Sequence, residues 1–137
     1  MKTLYLIVLA SFSFCSSFAQ GSAYYNVKDY LLGKGFTISK DIYGDIAQGE
    51  TVYYWKTFYK DITYVIYGFS DDNNVNDLDI YVYYEDGDLY THDAESDATP
   101  IVTFTPSYTR TMKVVLKNYD SDTPYNESRC RFFIVYK

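Results

Sequence analysis

Lysine and arginine are absent from the whole stretch between Asp61 and Thr109, although eleven Asp and Glu residues lie in it. The full chain holds 12 Lys and Arg against 18 Asp and Glu, a net charge of −6. An acidic protein has no electrostatic reason to seek nucleic acid or an anionic membrane surface. Histidine is nearly missing too, with His92 alone. A Ser or Cys nucleophile therefore has one candidate base, and neither a Gly-x-Ser-x-Gly elbow nor a phosphate-cradling glycine loop accompanies it. No apolar run of membrane-spanning length is present, so no membrane insertion is expected.

The N-terminus carries the one notable apolar stretch. Lys2 precedes the run Leu4 to Phe14, and small and polar residues follow, ending Ser17-Phe18-Ala19. A charged start, a run about half a membrane span and a small-x-small end describe a secretory signal peptide. Residues 1–19 are thus expected to be cleaved, with Gly21-Ser22-Ala23 a weaker second site. One domain, residues 20–137, remains, and its destination is secreted or periplasmic. Bulky Phe14 stands where a lipoprotein signal needs a small residue before Cys15, which argues against lipidation. Removal of Cys15 leaves only Cys130, so no intrachain disulfide is possible. A lone thiol in the last strand reads as a small buried hydrophobe rather than a nucleophile.

What is plentiful is β-forming sequence. Tyr24 to Lys34 is the one helix candidate, with Tyr24, Val27 and Leu31 on one face and Gly33 and Gly35 at its end. Eight segments rich in Val, Ile, Thr, Tyr and Phe follow: 36–43, 51–59, 62–69, 78–84, 89–92, 101–104, 111–118 and 129–136. Leu78, Ile80, Val82 and Tyr84 alternate with Asp77, Asp79, Tyr81 and Tyr83, the pattern of a strand with one packed face. Glu85-Asp86-Gly87-Asp88 is a hairpin signal. Pro100, Pro106 and Pro124 fall at strand boundaries, where a missing N–H does least harm. Short strands with no helices between them indicate an all-β fold, an antiparallel β-sandwich of jelly-roll type with about eight strands and a short N-terminal helix.

Part of this pattern resembles a known family. Asp77-Leu78-Asp79-Ile80-Tyr81-Val82-Tyr83, then Asp86-Gly87-Asp88-Leu89, then Asp93 and Asp97 are similar to the bacterial pre-peptidase C-terminal domain. Pro100-Ile101-Val102-Thr103-Phe104-Thr105 and Thr111-Met112-Lys113-Val114 follow in the family's order. Thr109-Arg110-Thr111-Met112 departs from it, lacking the family's glycine and aromatic at that turn. The resemblance implies a jelly-roll sandwich with a noncatalytic accessory role, in which some members bind calcium or extracellular polymers.

Two residue groups are candidate sites. Asp71-Asp72-Asn73-Asn74-Val75-Asn76-Asp77-Leu78-Asp79 is rich in the oxygen donors that calcium takes six to eight of. The EF-hand pattern fails, because Asp77 stands where its glycine belongs and Tyr83 where its closing glutamate does. A site would therefore draw on sandwich loops: Asp72, Asn74, Asp77 and Asp79, with Asp93 or Asp97 arriving from a neighbouring loop. The alternative is an ordinary Asx-rich acidic loop. If the cation-free segment gathers at one end of the sandwich, that end is strongly negative; otherwise it is a solvated edge that resists strand pairing. The second group is Tyr53, Trp55 and Tyr59, on one face of a strand, able to stack on sugar rings or grip a protein. Cross-strand packing is the competing role for these rings. The reading that results is a small exported binding or accessory module, not an enzyme, with calcium as candidate cofactor and an extracellular polymer or protein as partner. A small hydrolase using two carboxylates is the alternative.

Overall fold

The computed structural model describes residues 23–137. The signal peptide, its cleavage after Ala19 and Cys15 lie outside the described residues. Helix α1 spans residues 23–33. Eight strands follow: β1 Thr37–Ile46, β2 Thr51–Phe58, β3 Tyr64–Ser70, β4 Val75–Tyr84, β5 Leu89–Asp93, β6 Ile101–Phe104, β7 Arg110–Ser121 and β8 Ser128–Tyr136. Among the described residues no helix is long and apolar enough to cross a membrane.

The strands form two antiparallel four-stranded sheets, ordered β1-β8-β3-β6 and β2-β7-β4-β5. Each sequential connection except those within one sheet carries the chain to the other layer, which is the jelly-roll winding. The alternating residues anticipated above meet between the sheets: Leu78, Ile80 and Val82 of β4 and Met112, Val114 and Leu116 of β7 are fully buried, facing Ile66, Phe132 and Ile134. Gly68 belongs to this packing. A Cβ there would lie 2.9 Å from both Leu116 Cδ1 and Pro100 Cγ, so the close approach needs a glycine.

Strand β8 breaks the alternation, with Phe132, Phe133, Ile134 and Val135 all buried. Its second face is covered by α1, whose Leu31 packs with Phe69, Phe133 and Val135. A strand apolar on both sides needs cover on both sides, and the helix supplies the outer one. The loop that closes α1 uses Gly35 in the left-handed region, φ 84°.

Strand β4 begins at Val75, three residues before the expected start, because Val75 pairs with Ser121 and both are buried. Two register shifts between Val75 and Leu78 accommodate this extension. Asn76 and Asp77 thereby leave the loop and join the sheet.

Candidate binding face and the carboxylates beside it

The outer face of the β2-β7-β4-β5 sheet is built by the odd-numbered residues of β2, β7 and β4. Register aligns Tyr53 with Val115, Val115 with Tyr81, and Tyr81 with His92. A second row aligns Trp55, Lys113 and Tyr83. The even residues of β2, Val52, Tyr54 and Phe58, pack inward. Tyr53 and Trp55 are consequently left 55% and 44% exposed, a large aromatic surface not consumed by the core. The Tyr81 ring lies parallel to His92, 6.0 Å between centroids, and close to parallel with Tyr83 at 6.1 Å. Lys113 Nζ sits 4.3 Å from the Tyr53 ring centroid and 5.9 Å from that of Trp55, within cation–π reach of both.

Tyr59 is exposed as well, but it follows the end of β2, where its N–H donates to Tyr64 Oη. The structure therefore brings Tyr53 and Trp55 together and leaves Tyr59 beyond the strand end. Tyr81, Tyr83, His92 and Lys113 complete the face. Alternation along β4 placed the first two outward, yet only register shows which strand each one adjoins.

The acidic residues divide into two kinds. Asp72 Oδ1 accepts the Asn74 N–H within its own turn. The Asn74 amide is fully engaged, accepting from the Thr123 N–H and hydroxyl and donating to Ser128 Oγ. Asp93 spends both oxygens on backbone N–H groups of Glu95 and Ile101. These three side chains stitch loops, the ordinary work of Asx residues. Asp77 and Asp79 differ: the Oδ1 atom of each is buried without a hydrogen-bond partner, and Asp79 is only 3% exposed. Tyr81 donates to Asp79 Oδ2 at 3.2 Å. Burial pushes both carboxyls above the usual range, reinforced at Asp77 by the charges of Asp79, Asp97 and Asp120. At Asp79 the Tyr81 hydrogen bond and Lys117 partly oppose the effect of burial, and the charges of Asp93 and Asp97 add to it. Among the described residues, no group of three or more His, Cys, Asp or Glu side chains is arranged to hold a metal ion.

Nor does the cation-free segment make one negative end. Strand β4 has ten residues, so Asp77 and the Glu85-Asp86-Asp88 turn are separated by most of its length, about 25 Å. Arg110 lies beside that turn, while Asp71 and Asp72 share a groove with Arg129 and Arg131 on the other sheet. There Arg131 pairs with Asp71 at 2.8 Å and Arg129 makes two bonds to Asp45 at 2.9 and 3.0 Å. Cations from outside the segment are folded back onto it. Cys130 is fully buried, and desolvation pushes its thiol up to about 12.

No protein-family model and no curated protein sequence matches the chain. Solved structures do. The pre-peptidase C-terminal domain of a collagenase from Bacillus anthracis aligns at TM-score 0.54 and 10% identity, covering 69% of this chain and 87% of that one. PliG from Aeromonas hydrophila, a periplasmic inhibitor of g-type lysozyme, aligns at TM-score 0.55 and 8% identity, covering 76% and 90%. At such identities the likeness is one of fold, and the chain has the fold of a pre-peptidase C-terminal domain.

Proposed function

We propose that the protein is an exported, noncatalytic binding module whose outer β2-β7-β4-β5 face contacts an extracellular polymer or a protein. One observation carries this reading: Tyr53 and Trp55 stand half exposed on the same sheet face as Tyr81, Tyr83 and His92, with β7 between them, while the core is filled without Tyr53 and Trp55. Tyr and Trp combine rigid apolar area with a polar tip, which suits them to recognition. The same fold serving as an enzyme's C-terminal domain and as a lysozyme inhibitor agrees with a binding role. Trp55 is the sole tryptophan, so its fluorescence reports on this face directly. Titration with soluble polysaccharides and with lysozymes should shift Trp55 emission for one of them, with no product released. Binding that Tyr53→Ala leaves intact, or turnover of the bound polymer, would refute the reading.

Calcium belongs to the same proposal, at a smaller donor set than the loop sequence offered. Asp77 and Asp79 are the side chains with buried, unpartnered carboxylate oxygens and would hold the ion, which would neutralise their mutual repulsion. Asp72, Asn74 and Asp93 are already committed to loop hydrogen bonds. Melting in calcium against melting in chelator decides it; equal midpoints remove calcium from the account.

A further inference from the structure

The binding face has a charge its partner must answer. Lys113 and Lys117 both project from the exposed side of β7, the second strand of that sheet. Among the described residues neither ammonium lies within ion-pair distance of a carboxylate, since the ion pairs use only Arg129 and Arg131. Lys113 is held over Tyr53 and Trp55, and Lys117 Nζ lies 5.6 Å from the Tyr119 ring. Lys117 influences Asp79 through space without pairing with it. Lys113 is set among aromatic rings without a carboxylate partner, and Lys117, opposite Asp79 in the β4–β7 register, makes no ion pair with it.

We propose that this face takes an acidic polysaccharide, a sugar chain bearing carboxylates, with Lys113 and Lys117 meeting the carboxylates and Tyr53 and Trp55 the sugar rings. The proposal rests on the binding role given to the face above. Lys113 and Lys117 are four residues apart on one strand, about 13 Å, a span over which successive acidic units of an extended chain can meet both. Tyr53 and Tyr81 lie two strands apart, about 10 Å, so rings are offered along the sheet as well as across it. A protein partner fits less well, because buried interface centres are depleted of lysine and an unpaired ammonium is costly to desolvate. A neutral glycan would leave both ammonium groups unused. The net charge of −6 opposes any polyanion at long range, so the contact must be carried locally by Lys113 and Lys117 rather than by the field of the whole protein.

The test is a Trp55 fluorescence titration with oligogalacturonate and with a neutral β-linked glucose oligomer of equal length. The acidic oligomer should bind saturably and weaken as salt rises. The Lys113→Gln, Lys117→Gln double variant should lose about tenfold or more in affinity, the scale of one to two charge-assisted contacts, with the strand circular dichroism retained. Equal binding of the neutral oligomer, binding indifferent to the two glutamines, or binding of neither sugar overturns the proposal. If the sugars fail while a protein ligand is bound and lost in Tyr53→Ala, the acidic glycan is excluded and the binding face stands. If Tyr53→Ala changes no interaction, the face itself is excluded.

Discussion

Replacing Asp79 with asparagine isolates the most unusual side chain in the protein. Asp79 is 3% exposed, its Oδ1 has no partner, and its Oδ2 accepts from Tyr81. Asparagine keeps the shape and an acceptor for Tyr81 while removing the charge. An unsatisfied buried polar group costs about 1–3 kcal/mol, and more when charged. In chelator at pH 7 the Asp79→Asn variant relieves only the excess cost of the charge, because its amide still leaves an unpartnered group where Oδ1 stood, so it should be more stable by about 1 kcal/mol. For a domain of this size each kcal/mol moves the midpoint by roughly 4 °C, so the expected rise is about 4 °C. The sign of the pH dependence follows. A carboxyl held above 3.8 in the folded state is penalised while ionised, so the penalty is present at neutral pH. It fades as pH falls through the folded value towards 3.8, where unfolded aspartate also protonates. The advantage of the variant should shrink on acidification over that window. In calcium at about a hundred times its dissociation constant, the wild type should gain about 2.7 kcal/mol and the variant little. Differential scanning calorimetry across these conditions gives every quantity. A variant less stable than wild type in chelator at pH 7 would refute the reasoning, since it would mean that the charge is compensated.

Other outcomes follow from packing. Leu31→Ala should uncover Phe133 and Val135 and cost about 2–4 kcal/mol in denaturant unfolding, with the strand circular dichroism retained below the transition. Gly68→Ala places a methyl against Leu116 and Pro100 and should cost about 1–3 kcal/mol, read as a lowered thermal midpoint. Cys130, fully buried with its thiol pushed up to about 12, should resist alkylation in the native protein at pH 8 and react at once in guanidinium; rapid native labelling would contradict that burial.

The fold was legible because its signals are local. Each expected strand segment is present, since alternation as in Leu78, Ile80 and Val82 reports a packed face without knowledge of what packs on it. The helix was legible through Tyr24, Val27 and Leu31, although its target, the outer side of β8, was not. The site was only half legible. Tyr53 and Trp55 could be placed on one face of β2, but Tyr81, His92 and Lys113 reach them through register between strands far apart in the chain. The acidic loop was only partly legible for a related reason. Composition counts oxygens, whereas ligation depends on which oxygens are unengaged, and Asn74 is engaged by Thr123 and Ser128 from a distant turn.

By itself the sequence determined the β-sandwich class and the positions of its strands, because periodicity and turn chemistry act between near neighbours. It also determined the poverty in nucleophile–base pairs, because residue types need no coordinates to be counted. Only the tertiary structure decided that Asp77 and Asp79 keep buried, unpartnered oxygens while Asp72 and Asp93 do not. It alone laid two lysines of β7 among the aromatics of β2 and β4, because pairing across a sheet joins residues that no local rule connects.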